Sequence, residues 1–421
     1  MVRVTTGRSW DVLDYLSPYF FHGEKGLGSA FFSSSAPSPL LVAMAAWTLP
    51  FLWIGASMSL RRLLDARVTP WWVLLFFVPW LNWGLIAALC LLPSRRSERL
   101  PEEDRAAAPR LTAAMQGVAG GVLVGAVSLG LHVLLLKSYN SFVFLGTPFV
   151  MGMIAGFLYN RRARRERTAA LGALTMVVAS LAMLLFAVEG VLCIAMALPL
   201  ALPIGALGAV AGQMIAGEHR DSKPALLGLV LALSPVAVFS GPPPLREVLS
   251  TIEIDATPEQ VWPHVVSFTD LDEPPQWFFR LGIAYPVRAR ISGAGVGAVR
   301  RCEFSTGAFV EPITAWEEPT RLAFDVLQQP PPLHELSPYK KVHAEHLLDT
   351  LRSRRGEFRL ISLPGGRTRL EGRTFYELSM APQQYWASFG DSLIHQIHDR
   401  VLRHIRDEAV LASRLRAPDS R

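Results

Sequence analysis

Residues 385–405, YWASFGDSLIHQIHDRVLRHI, read as one long amphipathic helix. At about 100° per residue, Trp386, Gly390, Leu393, Ile397, Val401 and His404 fall on one side. Asp391, His395, Asp399 and Arg406 lie on or near the other. Pro382, just upstream, suits the first turn of a helix. A helix with one apolar face needs a surface to lie against. The residues before it supply strands, so it is expected to cover a β-sheet with a ligand-sized space between them.

Gly241-Pro-Pro-Pro244 is a short stiff spacer. VLSTIEIDA (248–256) then alternates as a strand does. Thr257-Pro-Glu-Gln260 opens a short helix, with Thr257 as N-cap, Pro258 at the first position and Gln260 completing a capping box. A second short stretch holds Trp277, Phe278 and Phe279. Six further strands are expected at 285–291, 298–306, 308–316, 321–328, 356–363 and 368–378, with turns at 293–297, 306–307, 317–320 and 364–366.

Strand, two short helices, six strands and a long helix is an order that, with these residues, resembles the START-like superfamily, also called SRPBCC or polyketide-cyclase-like. The stretches that carry the resemblance are IEIDATPEQVWPHVVSF (252–268), ISGAGVGAVRRCEF (291–304), ITAWEEPTRLAFDV (313–326), GGRTRLEGRTFYEL (365–378) and the final helix. The resemblance implies an α+β helix-grip domain with a seven-stranded antiparallel sheet. It implies no single function, since the superfamily includes lipid carriers, cyclases, hydroxylase subunits and stress-response binders. Residues 329–352, QPPPLHELSPYKKVHAEHLLDTLR, depart from the pattern as an insertion expected to shape the cavity mouth.

The other half of the chain belongs to a bilayer. Of the 421 residues, 51% are hydrophobic and 18% charged. From Arg246 onward there are 22 basic and 23 acidic residues, leaving 19 and 12 before it. That basic surplus sits between apolar stretches, so it reads as membrane topology and excludes a nucleic-acid patch. About seven spans are expected, at 40–60, 71–92 (interrupted by Pro79 and Asn82), 117–136, 142–159, 168–188, 191–216 and 225–240. The domain boundaries expected are an interfacial tail at 1–37, a multi-span α-helical membrane region at 38–240, a linker at 241–246, the helix-grip domain at 247–412 and a tail at 413–421.

Arg161, Arg162, Arg164, Arg165 and Arg167 mark a cytoplasmic loop, and Arg95, Arg96, Arg99, Arg105 and Arg110 agree with it. This places the C-terminal domain in the periplasm. Arg61, Arg62 and Arg67 disagree unless 71–92 dips in and returns. RRLLDARVTPWWVLLFFVPWLNW (61–83) resembles a family of small bacterial inner-membrane proteins of unknown function, with Leu64 where those proteins carry His. The resemblance implies no chemistry. Read from the residues, Trp71 and Trp72 are interfacial anchors and Arg61, Arg62 and Asp65 a charged turn. Glu189-Gly190 reads as a turn between spans, and His132 as a lone histidine near a span end.

Little in the soluble half points to catalysis. The glycines at 293, 295 and 297 precede a strand, so they make a hairpin and not a nucleotide loop. His334, His343, Glu345 and His346 match no strong zinc spacing, and Cys90, Cys193 and Cys302 form no disulfide framework, so no metal and no cofactor is expected. His395 is expected in solvent, His398 at the boundary, and His404 toward the sheet. Parity places Arg300 inside with Cys302 and Phe304, and Glu311 inside with Phe309 and Ile313. A buried charge must be paired, so an Arg300–Glu311 pair is expected. The ligand candidates are therefore Trp277, Phe279, Arg300, Glu311, Phe324, Phe358, Tyr376, Trp386 and His404. They suit a hydrophobic small molecule or lipid, bound by a domain tethered to the bilayer of a bacterial inner membrane. Alternatives are a cyclase- or aromatase-type enzyme, or a sensor signalling through the membrane helices.

Overall fold

The computed structural model describes residues 54–416 apart from 57, 67, 78–80, 94–101, 136–138, 162–164, 187, 219–242, 272 and 338–349. The chain forms two compact units, residues 1–239 with 335–344, and 240–334 with 345–421.

In the first unit, four helical stretches are long and apolar enough to cross a membrane: Arg110–Val133, Phe142–Asn160, Thr168–Leu185 and Val191–Ala216. These are four of the seven expected spans. The one at 225–240 lies outside the described residues, as does most of that at 40–60. The expected interruption of 71–92 is present, as a 3-10 helix at Pro70–Phe77 followed by helix α1 at Leu81–Leu91. The charged turn expected near Arg61 is instead helical. Arg62 bonds the carbonyls of Leu89 (3.1 Å) and Leu92 (2.7 Å), groups that the end of α1 leaves without helical partners.

Helices α2 (Glu102–Leu129), α3 (Thr147–Asn160), α4 (Thr168–Leu185) and α5 (Val191–Glu218) follow. Small residues let α3 and α5 meet backbone to backbone. A Cβ added at Gly152 or Gly156 would strike the carbonyl of Gly205 or Ala209. Glu189 lies at the bend between α4 and α5, as expected. His132 is buried, bonded to the Ser128 carbonyl (2.9 Å) and stacked on Phe142.

The second unit is an α+β domain. Its strands are β1 (Leu245–Ile254), β2 (Pro286–Ser292), β3 (Val299–Phe304), β4 (Gly307–Glu317), β5 (Arg321–Asp325), β6 (Leu351–Leu363) and β7 (Arg367–Leu378). They form one seven-stranded sheet in the order β1-β7-β6-β5-β4-β3-β2, antiparallel throughout. Helix α6 (Pro258–Val266) begins at the expected capping box, with the Gln260 side chain accepting the Thr257 N–H (3.0 Å). Gly293, Gly295 and Gly297 have φ of 88°, 79° and 88° and close the β2–β3 hairpin. Helix α7 (Gln383–Arg416) packs along β1 and β7 and reaches β2. This is the helix-grip architecture the sequence implied.

Alternation along the strands separates the two sheet faces. The covered face holds Ile254, Ile313, Leu322, Phe324, Phe358, Leu360 and Leu370, which pack with Val401, Leu402 and Ile405 of α7. Burying each such side chain stabilises the fold by at most about 1.5–3 kcal/mol. The other face carries cross-strand ion pairs, among them Arg373–Glu247 (3.1 Å), Arg367–Glu253 (3.0 Å) and Arg321–Glu357 (3.4 Å).

Two expectations need correction. Strand β6 starts at Leu351, inside the stretch expected as insertion, where Gln329 holds it by bonds to the Leu351 carbonyl (2.7 Å) and the Ser353 N–H (2.8 Å). The buried stripe of α7 is also rotated from the expected one. It runs through Trp386, Ala387, Gly390, Ile394, Val401, Leu402, Ile405 and Ala409, while Leu393 and Ile397 are only half-buried. Polar contacts to β1 and β7 account for the rotation.

Candidate functional site

Arg300 and Glu311 are direct cross-strand partners in the β3–β4 register. Both side chains point to the covered face, and Arg300 Nη1 donates to Glu311 Oε2. Arg300 is 2% exposed and Glu311 5%. The expected buried pair is present. Around the guanidinium stand three phenylalanine rings, with centroids 5.6 Å (Phe268), 5.3 Å (Phe324) and 5.7 Å (Phe358) from Arg300 Cζ.

Burial and the ion pair pull in opposite directions at both groups. Burial works to lower the proton affinity of Arg300, but the Glu311 carboxylate and the Cys302 side chain together outweigh it and the net direction is upward. Burial raises the Glu311 carboxyl above its usual range, with Arg300 pulling the other way. The Cys302 thiol beside them is pushed up to about 12, chiefly by burial, so it is not a nucleophile at neutral pH.

His404 faces the same place from α7, its ring edge-on to Phe268 at 5.9 Å. Two buried nitrogens here, Arg300 Nε and His404 Nε2, find no hydrogen-bond partner among the described residues. The structure thus brings Arg300, Glu311, Phe324, Phe358 and His404 to the covered face, joined by Phe268.

The remaining candidates lie elsewhere. Trp277 is 73% exposed and lines no interior surface. Phe279 is buried, against Phe278 and Tyr285. Trp386 is buried near the start of α7, in an aromatic group with Tyr385 and Phe389. Tyr376 is fully buried, yet its hydroxyl donates to Asp391 Oδ1 (2.5 Å) and accepts from Arg246 Nε (3.2 Å). Burial, then the Asp391 bond, pushes its phenol up to about 12. Asp391, expected on the solvent side, completes the group through Arg246 Nη2 (2.7 Å).

One turn along, Ser250 Oγ meets His395 Nδ1 (2.8 Å) and His398 Nδ1 (3.1 Å), and His398 Nε2 meets Thr374 Oγ1 (2.8 Å). His395 is exposed as expected, but His398 belongs to the interface with the sheet. Burial pushes it down to about 4, so it is neutral at physiological pH. One signal in the sequence could have found this seam. Arg246 and Ser250 share strand parity with Ile254, and Asp391, His395 and His398 share one helix flank.

Arg400 left no such signal, because its partners are backbone. It is buried and donates to the carbonyls of Glu273 (2.6 Å), Leu271 (3.3 Å), Pro286 (3.4 Å) and Pro274 (3.5 Å). It closes the stem of the loop that carries Trp277.

Of the histidines weighed as metal ligands, His343 and His346, with Glu345, lie outside the described residues, and the backbone N–H of His334 donates to Gly282 (2.8 Å). In the first unit, Glu189, Cys193 and Glu335 bring one ligand atom each within 4.8 Å of one another. A carboxylate oxygen of Glu335 also accepts the Leu192 N–H (3.2 Å) at the start of α5, a role that a helix N-terminus gives an acid without a metal.

A family described as "Protein of unknown function (DUF805)" matches residues 15–99, which include the 61–83 stretch. No curated protein matches the chain. Among solved structures, a protein of Nitrosospira multiformis is similar at 20% identity, covering 40% of this chain and 99% of that one (TM-score 0.26). The ZhuI aromatase/cyclase of Streptomyces sp. R1128 is similar at 14% identity, covering 42% and 99% (TM-score 0.27). A norcoclaurine synthase of Thalictrum flavum is similar at 9%, covering 41% and 99% (TM-score 0.27).

Proposed function

We propose that the C-terminal domain binds a hydrophobic small molecule or lipid between the sheet and α7, and that the membrane region keeps it at the bacterial inner membrane. The observation that supports this is the covered face itself. It is apolar and aromatic, yet it holds an enclosed Arg300–Glu311 pair that a purely structural core would not need. Tethering beside a bilayer suits a ligand that partitions into lipid. The basic loop after α3 supports a periplasmic domain, and a reporter fused after Arg421 that is active only in the cytoplasm would overturn that placement.

The test is native mass spectrometry of the full chain ejected from detergent micelles. A retained or added apolar molecule, lost in Phe324→Asp, is expected. Recovery of bare protein after challenge with a lipid extract would count decisively against binding. The enzymatic alternative uses the same Arg300, Glu311 and His404. Loss of turnover in Arg300→Met with binding retained would favour it.

A further inference from the structure

Arg300 and His404 flank one ring, that of Phe268, from two different elements. Each carries a buried nitrogen, Arg300 Nε and His404 Nε2, with no partner among the described residues. An arginine has five donors, and one of these nitrogens, Arg300 Nη1, is taken by Glu311. Nε stays a donor in want of an acceptor. His404 Nε2 can donate or accept, according to its tautomer. Two such atoms around one aromatic ring define where a ligand's polar atoms go. The phenylalanines around them define where its apolar body goes.

Charge narrows the ligand further. The guanidinium is already answered by Glu311, and the two are neutral together. A carboxylate or phosphate brought here would be a second anion beside Glu311 in a buried place, and among the described residues no lysine or second arginine is paired with Glu311. A neutral oxygen has no such penalty.

We infer that Arg300 and His404 form the polar end of the ligand site, and that it selects a neutral apolar molecule carrying a ketone, ester or hydroxyl oxygen over a free acid or a hydrocarbon. This rests on the binding reading above and gives it a chemical class.

The experiment uses the full chain in lipid nanodiscs and three photoreactive probes of equal length, each with a diazirine at the same carbon: a long-chain alcohol, the corresponding acid and the alkane. Cross-linked peptides are identified by mass spectrometry. The alcohol is expected to label peptides containing Phe268, Phe324 or Phe358 at least fivefold more than the acid or the alkane. In the charge-balanced double variant Arg300→Met/Glu311→Leu, alcohol labelling should fall to the level of alkane labelling measured in the same variant. His404→Leu should lower the alcohol preference in the same direction.

Acid labelling equal to or above alcohol labelling would overturn the inference and leave binding standing. So would alcohol and alkane labelling alike, the outcome if Arg300 Nε holds only a fixed water. No labelling of these peptides by any probe would overturn the inference and the binding reading together.

Discussion

The Tyr376 hydroxyl, on the last strand, donates to the carboxylate of Asp391, on the final helix, across 2.5 Å. Both also bond Arg246, on the first strand. Tyr376→Phe removes the phenol and leaves Arg246 and Asp391 in place. A loss of about 1–3 kcal/mol in unfolding free energy is expected, as for a buried hydrogen bond whose partners stay behind. Urea titration followed by near-UV circular dichroism measures it, and an unchanged midpoint would refute a stabilising role.

Breaking the Arg300–Glu311 pair from one side should cost more than removing it whole. Arg300→Met leaves Glu311 buried and unpaired, at a cost of about 3–5 kcal/mol. Arg300→Met/Glu311→Leu should regain most of this. If the double variant is as unstable as the single, the cost comes from packing and not from charge.

His398 gives the domain a defined pH response. Its proton affinity falls from about 6.5 to about 4 on burial, so the unfolded chain binds a proton that the folded one refuses. Stability is complete above pH 6.5, declines as the pH falls toward 4, and receives no further change from this group below that. At roughly 1.4 kcal/mol per pH unit the total is about 3 kcal/mol. Melting temperatures across this range should slope less in His398→Gln, and an unaltered slope would assign the effect to other groups.

Contact between α3 and α5 leaves no room for a side chain at Gly156, where an added Cβ meets the Ala209 carbonyl. Gly156→Ala should lower the melting temperature in detergent by several degrees. Gly84→Ala in α1, where a Cβ meets nothing within 4 Å, should not. Equal shifts in both would mean that helix propensity, not packing, decides.

Arg400→Met should free the loop stem without unfolding the sheet. Limited proteolysis is expected to cut within residues 271–286 several times faster in the variant. Equal cleavage would show that the stem is held by its strand contacts alone.

Much of this was legible in the sequence because strands and helices write a period. Parity put Arg300 and Glu311 on the same face of the sheet, and the need of a buried charge for a partner paired them, as the β3–β4 register shows. The orientation of α7 was less legible, because the helix buries polar groups as well as apolar ones. Asp391 and His398 look like surface residues until Arg246, Ser250 and Thr374 are seen across from them. Trp277 shows the reverse failure, an aromatic residue expected inside and found exposed. Arg400 escaped because backbone carbonyls carry no sequence identity.

The pairing of β1 with β7 sets a timetable for synthesis. Arg246 of β1 pairs with Tyr376 of β7, 130 residues further on, so the first strand cannot acquire its neighbour until most of the domain has been made. A chain that closes so late folds slowly and passes through a stage with bare strand edges. Its first strand leaves the ribosome soon after a series of apolar helices. A chaperone or a membrane surface that shields β1 during that interval should raise the yield of folded protein.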